Sequence, residues 1–250
     1  MYDPPGYLWA ITLAGVIAVL AMTCAVLYGG AIRASGGRRR AALLAAGAAL
    51  VLGGWFAASA VIAGHGWYQT RLGHGVPWMP VAVAGFLILL LALRQIPVVA
   101  RALTAPGMVS RLELVHVFRV AGVAFVLTMA LGHLPALFAL PAGLGDIAAG
   151  IAAPLVARKL AQGTGRRTAL WFNVYGLTDL VTALTLGALT AYQLVHVTPS
   201  AAPISELPLA LIPTVDVPLL IALHITSISA LRKATRAPLP ATAPLAAASR

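Results

Sequence analysis

The sequence predicts an all-α, polytopic membrane protein that crosses the bilayer about seven times, with its N-terminus outside the cytoplasm and its C-terminus inside. Of its 250 residues, 60% are hydrophobic and 9% are charged, whereas charged residues make up about a quarter of a soluble domain. The apolar residues gather in seven stretches that lack the polar stripe of a surface helix, and most approach the roughly 20 residues that a bilayer requires. These stretches are 11–32, 41–64, 79–93, 112–131, 136–157, 168–193 and 207–231.

The basic residues predict the orientation of the chain. All but two of the 17 lysine and arginine residues lie in the first, third and fifth connections or after the last span, which is one side of a seven-span chain. The exceptions are Arg71 in the second connection and Arg119 inside the fourth span. Because basic residues near span ends stay in the cytoplasm, that side is predicted to be cytoplasmic. The same alternation argues against nucleic-acid binding as the meaning of the +11 net charge, since such binding needs basic residues gathered on one soluble face.

The first span is expected to remain as an anchor. Asp3, Pro4 and Pro5 precede it in place of a basic segment, and its apolar run is too long for a cleaved signal peptide. The single cysteine, Cys24, excludes an intrachain disulfide and a metal site built from cysteines.

The chain is predicted to form one transmembrane domain over residues 1–236. Spans one to three occupy residues 1–94, and spans four to seven, which hold the polar core, occupy residues 111–232. Residues 95–110 between them are too polar and too rich in proline to span, and are expected to lie along the inner interface. Residues 237–250 combine proline, alanine and small polar residues without apolar periodicity, which predicts a disordered cytoplasmic tail.

Spans four to seven carry an apparent tandem repeat of two helical hairpins. Residues 118–122 and residues 172–176 share the pattern F-x-V-x-G. In each case the next span begins with Leu-Pro and then carries a second proline and an aspartate, which is Asp146 or Asp216. A duplication predicts that spans four and five superpose on spans six and seven, an arrangement that places a binding site at the repeat interface of some transporters. The alternative is a chance similarity between apolar helices.

Charged residues inside the predicted spans mark the candidate site. An aspartate or arginine at the bilayer centre costs about 2.5–3.5 kcal/mol on insertion scales. Counted at about 1.5 Å per helical residue, Arg119, Asp146 and Asp179 lie at depths that an arginine side chain can bridge, which predicts a buried network. One guanidinium cannot neutralise two carboxylates, so the remaining charge must be met by His224, a proton or a cationic ligand. The predicted ligand-binding or proton-binding residues are Arg119, Asp146, Asp179, His224, His116, Asn173, Tyr175 and Asp216.

Prolines beside two of the aspartates predict irregular helices. Pro141 precedes Asp146, whereas Pro213 and Pro218 flank Asp216. Proline removes a backbone donor, and the freed carbonyl is tolerated in a membrane only inside protein or along a wet cavity. These breaks favour a functional site, and ordinary proline kinks are the alternative.

The histidines suggest two cofactor arrangements. His116 and His224 lie at similar depth on different spans, which suits two axial ligands of a haem. The spacing of this pair is not diagnostic of a cofactor. Glu113 and His116 form an ExxH motif, but no partner motif lies on another helix. Glu113 is expected to reach the membrane interface, because it lies close to Arg111 in sequence. The sequence does not identify a cofactor. The histidines near the outer surface, which could together hold a metal, are His65, His74, His133 and His196.

The leading interpretation is a non-enzymatic membrane protein with a titratable polar site in its last four spans, a small-solute or proton-coupled permease of the bacterial inner (plasma) membrane. The alternatives are a haem-binding or metal-binding protein, an intramembrane enzyme using Ser227 or Ser229 near His224, and an accessory or structural subunit. The expected partners are the lipid bilayer and a small-molecule or proton ligand. The segments LPALFALPAG and LIPTVDVPL resemble those of an uncharacterised bacterial membrane family, which implies no activity.

Overall fold

The computed structural model describes residues 3–34, 37–69 and 75–233, and within these ranges the chain is built from helices. Six helical segments of this part are long and apolar enough to cross a membrane. Their length and composition are those of a multi-pass membrane protein. The predicted tail, 237–250, lies outside the described residues. The six segments are Gly6–Arg33, Gly37–Gly64, Met108–Ala130, Ala136–Ala161, Arg166–Ala191 and Ile212–Lys233.

Two of these segments contain irregular turns. A 3-10 segment, His116–Gly122, interrupts the helix of the fourth predicted span. A π-helical segment, Ile212–Asp216, forms the start of the last of the six segments, Ile212–Lys233. Short 3-10 turns at Trp67–Gln69 and Ala202–Ser205 lie in the connections. The α-helices are α1 (Gly6–Arg33), α2 (Gly37–Gly64), α3 (Trp78–Leu93), α4 (Pro97–Thr104), α5 (Met108–Val115), α6 (Val123–Ala130), α7 (Ala136–Ala161), α8 (Arg166–Ala191) and α9 (Val217–Lys233).

The third predicted span is a bent pair of helices. Helix α3 has 16 residues and is therefore about 24 Å long, and α4 follows at an angle of 84°. The bend is placed by Pro97, which begins α4 and lacks the N–H that would continue α3. Helix α4 packs against α1, where Gly30 lies directly against the backbone of Ala102. The predicted count of seven spans therefore requires α3 and α4 to be counted together as one span.

Helix α9 lies in the middle of the bundle. Most of its residues are buried, whereas α2 is largely exposed. Helix α9 contacts α3, α5 and α8, and the π-helical segment before it contacts α1, α2 and α3. A helix that is apolar all round is expected at such a position, because it has no face left for solvent.

The helix ends that carry basic residues lie together, and we call this the basic end of the bundle. Arg33 at the end of α1 lies 3.8 Å from the sulfur of Met108 at the start of α5. Arg166 at the start of α8 donates to the carbonyl oxygen of Leu231 near the end of α9 at 3.1 Å. These contacts join helix ends that the sequence assigns to the cytoplasm. The orientation of the bundle in a bilayer stays a prediction.

A topology experiment checks this orientation. A reporter fused after Arg250 should be cytoplasmic, and a reporter inserted near Gly73 should be extracytoplasmic, because the basic connections stay inside. A reporter inserted at Gly163, between α7 and α8, serves as a second cytoplasmic marker. Protease protection or cysteine labelling gives the measurement. Finding Gly73 and Gly163 on the same side of the membrane would overturn the seven-span arrangement.

The helix break predicted before Asp146 is wrong. Helix α7 begins after Pro135 and continues without interruption through Pro141 and Asp146. A proline in a membrane helix removes one backbone hydrogen bond, and the helix persists when its other bonds and its neighbours hold it. An irregular stretch that the prolines did not signal lies instead at His116–Gly122, beside Asp146.

The irregular backbone near Asp216 is present, and the polar groups of Thr214 within it have partners. Pro213 lies in the π-helical segment, whose Thr214 carbonyl accepts a hydrogen bond from Trp55 Nε1 at 2.8 Å. The Thr214 hydroxyl lies 2.6 Å from the Ser59 hydroxyl. Helix α2 thus supplies the donors that an unwound turn inside a membrane protein needs.

The two proposed hairpins share one contact and differ in backbone. Residues 118–122 lie in the 3-10 segment, whereas residues 172–176 lie in the α-helical α8. In both, the glycine of F-x-V-x-G lies against the next predicted span, Gly122 against Asp146 of α7 and Gly176 against His224 of α9. The common origin of the two hairpins stays a prediction.

Candidate functional site

Small residues on α7 bring Asp146 against the 3-10 segment. Gly143 lies close to the carbonyl oxygen of Gly122, and Gly150 lies close to the backbone nitrogen of Val120. With Asp146 these glycines follow the three- and four-residue spacing of one helix face, and residues of this size let membrane helices approach closely. Asp146 therefore reaches the segment that carries the arginine.

Arg119 joins two aspartates from different helices. Its Nε donates to Asp146 Oδ1 at 2.7 Å, and its Nη2 donates to Asp179 Oδ2 at 2.5 Å. The arginine side chain and both carboxylates are almost entirely shielded from solvent. Short charge-assisted bonds of this kind are among the stronger hydrogen bonds in proteins. The group has one positive charge for two carboxylates, so it carries one negative charge when both carboxylates are ionised.

A second set of hydrogen bonds continues from Arg119 towards α5. Arg119 Nη1 lies 3.2 Å from His224 Nε2, and His224 Nδ1 lies 2.7 Å from Asn173 Oδ1. Because arginine can only donate, Nε2 accepts and the Nδ1 proton is donated to Asn173. The Asn173 amide nitrogen then donates to Glu113 Oε1 at 2.7 Å. The chain of bonds thus runs from the two aspartates to Glu113.

The expectation that Glu113 reaches the interface is wrong. The residue is fully buried, and its Oε2 has no hydrogen-bond partner within the part of the chain that is described. Glu113 and His116 are three residues apart and share one helix face. That face points inward, because Glu113 meets Asn173 of α8 and His116 meets His224 of α9. The ExxH spacing places the two side chains on one face but does not say which way that face points.

His116 is fully buried, and neither of its ring nitrogens has a hydrogen-bond partner among the described residues. Its ring stacks on that of His224 with centroids 3.8 Å apart and planes 14° apart, and Phe172 packs against its edge. A haem held by two histidines has its macrocycle between them. Stacked rings at this separation leave no room for one, so the bis-histidine haem arrangement does not fit.

The predicted outer metal site is not formed by the histidines that the structure describes. His65, His133 and His196 do not come together as a ligand group, and His74 lies outside the described residues. Within those residues the one group of three metal-ligating side chains has its ligand atoms within 4.8 Å of one another. It consists of Glu113, His116 and His224.

Two predicted site residues lie apart from the Arg119 bonds. Tyr175 is 43% exposed, and its hydroxyl donates to the Gly145 carbonyl at 3.3 Å. Asp216 is buried, and its Oδ1 has no hydrogen-bond partner in the described ranges. A cavity of about 20 Å³, large enough for one water molecule, is lined in part by Arg119, Asp146 and Asp216.

The serines considered as nucleophiles do not pair with His224. Ser229 donates to the Ile225 carbonyl at 2.7 Å, and Ser227 lies beside Glu113. Both ring nitrogens of His224 are engaged by Arg119 and Asn173. The nucleophile and base contact that hydrolysis needs is therefore not made at these serines.

A cavity of about 870 Å³ lies between α3 and α8 and reaches Asp146. Apolar side chains of the two helices, such as Val83 and Leu184, form most of its walls. Its other part lies at the end of the bundle opposite the basic end. Burial raises the pKa of Tyr68 there, so its hydroxyl stays neutral near pH 7. The polar residues that line that end are Tyr68, Gln69, Tyr192, Gln193, Ser200, Ser205 and Glu206.

The fold and the site are those of a helical protein with several helices long and apolar enough for a multi-pass membrane protein, and with a buried polar cluster. Residues 76–232 match the family described as Domain of unknown function (DUF8737), and the chain belongs to this family. The matched region runs from α3 to α9 and contains Arg119, both of its aspartate partners and the Glu113 group. Comparison with curated proteins and with solved structures gave no match.

Proposed function

We propose that the protein is a small-solute permease whose cavity between α3 and α8 admits an organic cation with apolar groups. The observation that carries the proposal is the position of Asp146, which lines the cavity and shares Arg119 with Asp179. Binding sites for small molecules are mostly apolar clefts of about 300–1,000 Å³ with a few convergent polar groups. The volume of about 870 Å³ and the largely apolar walls agree with that description.

The charge of the cluster favours a cation over an anion. Arg119 offsets one of its two carboxylates and leaves one negative charge in a region of low dielectric constant. A cationic group beside Asp146 compensates this charge. A proton on Asp146 does the same when no solute is bound, which gives a basis for coupling solute movement to protons.

The same cluster closes the cavity towards the basic end. Beyond Asp146, the side chains of Arg119, His224 and Asn173 form the hydrogen-bonded chain that ends at Glu113. Passage of a solute therefore requires movement at this point. The 3-10 segment that carries Arg119 has seven residues, longer than the three or four that are usual, and such segments inside helices often mark hinges.

Binding of two ions of equal shape tests the proposal. The purified full chain in detergent should bind tetraphenylphosphonium and should bind tetraphenylborate at least about tenfold more weakly, which corresponds to about 1.4 kcal/mol. Asp146→Asn should lower tetraphenylphosphonium affinity more than Asp179→Asn does. Both variants remove one charge from the cluster, but only Asp146 lines the cavity. Equilibrium dialysis gives the affinities.

Transport separates a permease from a protein that only binds. Proteoliposomes containing the chain should take up tetraethylammonium, an organic cation that does not cross a bare bilayer, and Ala84→Trp, which fills the cavity, should block uptake. Leu89→Trp places the same side chain on an exposed part of α3 outside the cavity and should leave uptake intact. A folded protein that neither binds tetraphenylphosphonium nor moves tetraethylammonium would favour the accessory or structural role.

A further inference from the structure

We propose that Glu113, His116 and His224 form a binding site for one divalent transition-metal ion. Each residue offers a ligand atom, and the three atoms lie within 4.8 Å of one another. All three residues are fully buried, and none of them lines the cavity between α3 and α8. The site therefore lies apart from the proposed solute pocket, on the other side of Arg119.

The hydrogen-bonding state of these side chains points to a ligand. Neither nitrogen of His116 has a hydrogen-bond partner among the residues the structure describes. Of the two Glu113 oxygens only Oε1 is hydrogen-bonded there, and the Ser227 hydroxyl is the polar group that lies beside this carboxyl. Buried polar side chains in native proteins rarely lack hydrogen-bond partners, because without a partner nothing offsets the free-energy cost of removing them from water. An imidazole ring and a carboxylate oxygen in this condition, with ligand atoms within 4.8 Å of one another, are the donors that a metal ion takes.

Asn173 orients two of the three ligands. Its amide nitrogen holds Glu113 Oε1, and its amide oxygen accepts the Nδ1 proton of His224. These bonds leave Glu113 Oε2 as one ligand atom, and His224 Nε2 becomes the second when it gives up its bond to Arg119 Nη1. Metal-binding histidines usually donate their second ring N–H to such an outer partner, which fixes the tautomer and the ring orientation.

Metal binding needs only a local adjustment. Metal–ligand bonds of about 2.0–2.2 Å place neighbouring ligand atoms of a tetrahedral site about 3.3 Å apart. The three ligand atoms lie within 4.8 Å of one another. They therefore have to approach one another by an amount on the order of 1 Å. The stacked histidine rings must splay. The hydrogen bond between Arg119 Nη1 and His224 Nε2 must also break. It is the longest of the three hydrogen bonds that this guanidinium makes. Arg119 keeps both aspartates.

The charges of the surrounding residues suit a divalent ion. Arg119 with Asp146 and Asp179 sums to one negative charge, and Glu113 adds another when ionised. A dication meets the Glu113 carboxylate directly, and its second charge is met by the same negative charge that a proton or a solute cation at Asp146 otherwise compensates, which matters in a region of low dielectric constant. Two imidazoles and a carboxylate suit zinc, iron, cobalt or manganese, and three protein ligands leave at least one coordination position open.

Reconstitution with cobalt tests the site. The full chain is stripped with a chelator and titrated with Co²⁺, whose visible absorption reports coordination by the protein. We expect about one ion per chain, displaced by Zn²⁺. Glu113→Gln, which keeps the side-chain shape, and His116→Ala should abolish the absorption. His65→Ala removes an exposed histidine outside the site and should leave it unchanged. Asn173→Leu should weaken the affinity by about 10–100-fold.

A measurement on the unaltered protein guards against variants that fail to fold. Thermal unfolding of the stripped chain should shift to higher temperature as Zn²⁺ is added, because an ion that binds only the folded state stabilises it. A folded, stripped protein that takes up far less than one ion and shows no such shift overturns the site. Metal retained equally by folded Glu113→Gln and His116→Ala overturns it as well. Neither outcome bears on cation binding in the cavity.

Discussion

Replacing Arg119 with leucine should destabilise the protein by about 3–5 kcal/mol, because it leaves two buried carboxylates without the cation they share. The free energy of unfolding can be measured in detergent by denaturant titration. The control is Arg158→Leu, an exposed arginine near the end of α7, which should change stability by less than about 0.5 kcal/mol. Equal stability of the two variants would mean that the Asp146 and Asp179 contacts contribute little.

Combined substitutions show how the two aspartates share the arginine. Each carboxylate bonds a different guanidinium nitrogen, so removing Arg119 and one aspartate still leaves the other without a partner. Arg119→Leu with either Asp146→Asn or Asp179→Asn should therefore recover only part of the lost stability, and the triple variant should recover most of it. Full rescue by one double variant would show that the remaining carboxylate is stabilised elsewhere.

Arg119→Lys should be intermediate in this series. The lysine ammonium is a single point of charge, whereas the guanidinium reaches Asp146, Asp179 and His224 from three separate nitrogens. We expect lysine to hold one aspartate at a time. Stability between that of the leucine variant and that of the unaltered protein would fit this account, and stability equal to the latter would contradict it.

The charge network could be predicted from sequence because depth along a span is counted from its boundary. Arg119 and Asp179 fall about 6 Å apart in depth on that count, within reach of an arginine side chain. No knowledge of helix packing was needed, since few charged residues lie inside the spans and each needs a partner.

The details of the site could not be predicted, because they depend on how each helix is rotated. Glu113 follows Arg111 by two residues, and the sequence alone does not say whether its face of α5 points to lipid or inward. The inward face appears once Asn173 of α8 is known to lie opposite it. The cavity could not be predicted for the same reason, because it depends on how the helices pack. It lies where α3 and α8 flank α9 without filling the space between them.

The 3-10 segment and the unbroken α7 show a second limit of sequence reasoning. Proline suggested a break at Pro141, yet α7 continues through it. The fourth span has no proline, and its backbone tightens where it packs against α1 and α7. Gly15 of α1 meets Ala121, and Gly150 of α7 meets Val120. Close packing against small residues on both sides, rather than a helix-breaking residue, accompanies the irregular turn.

The contact at Gly150 gives the second prediction of large effect. A Cβ at this position would lie 2.8 Å from the Val120 nitrogen and 3.0 Å from the Val117 oxygen. Both are backbone atoms of the 3-10 segment, so no side-chain rotation can make room. Gly150→Ala should therefore destabilise the protein by about 1–3 kcal/mol through overpacking, even though alanine is favoured over glycine in a helix by about 0.5–1 kcal/mol.

Gly54→Ala is the matched control, because a Cβ there meets nothing within 4 Å and the residue also lies inside a long helix, α2. It should leave stability unchanged or raise it by up to about 1 kcal/mol. The displaced 3-10 segment in Gly150→Ala should also pull Arg119 away from Asp146, so this variant should lose cation affinity while Gly54→Ala keeps it. A Gly150→Ala protein that is as stable as the Gly54→Ala protein would show that the 3-10 segment moves at little cost. The close approach of α7 would then not be what holds Arg119 against its aspartates.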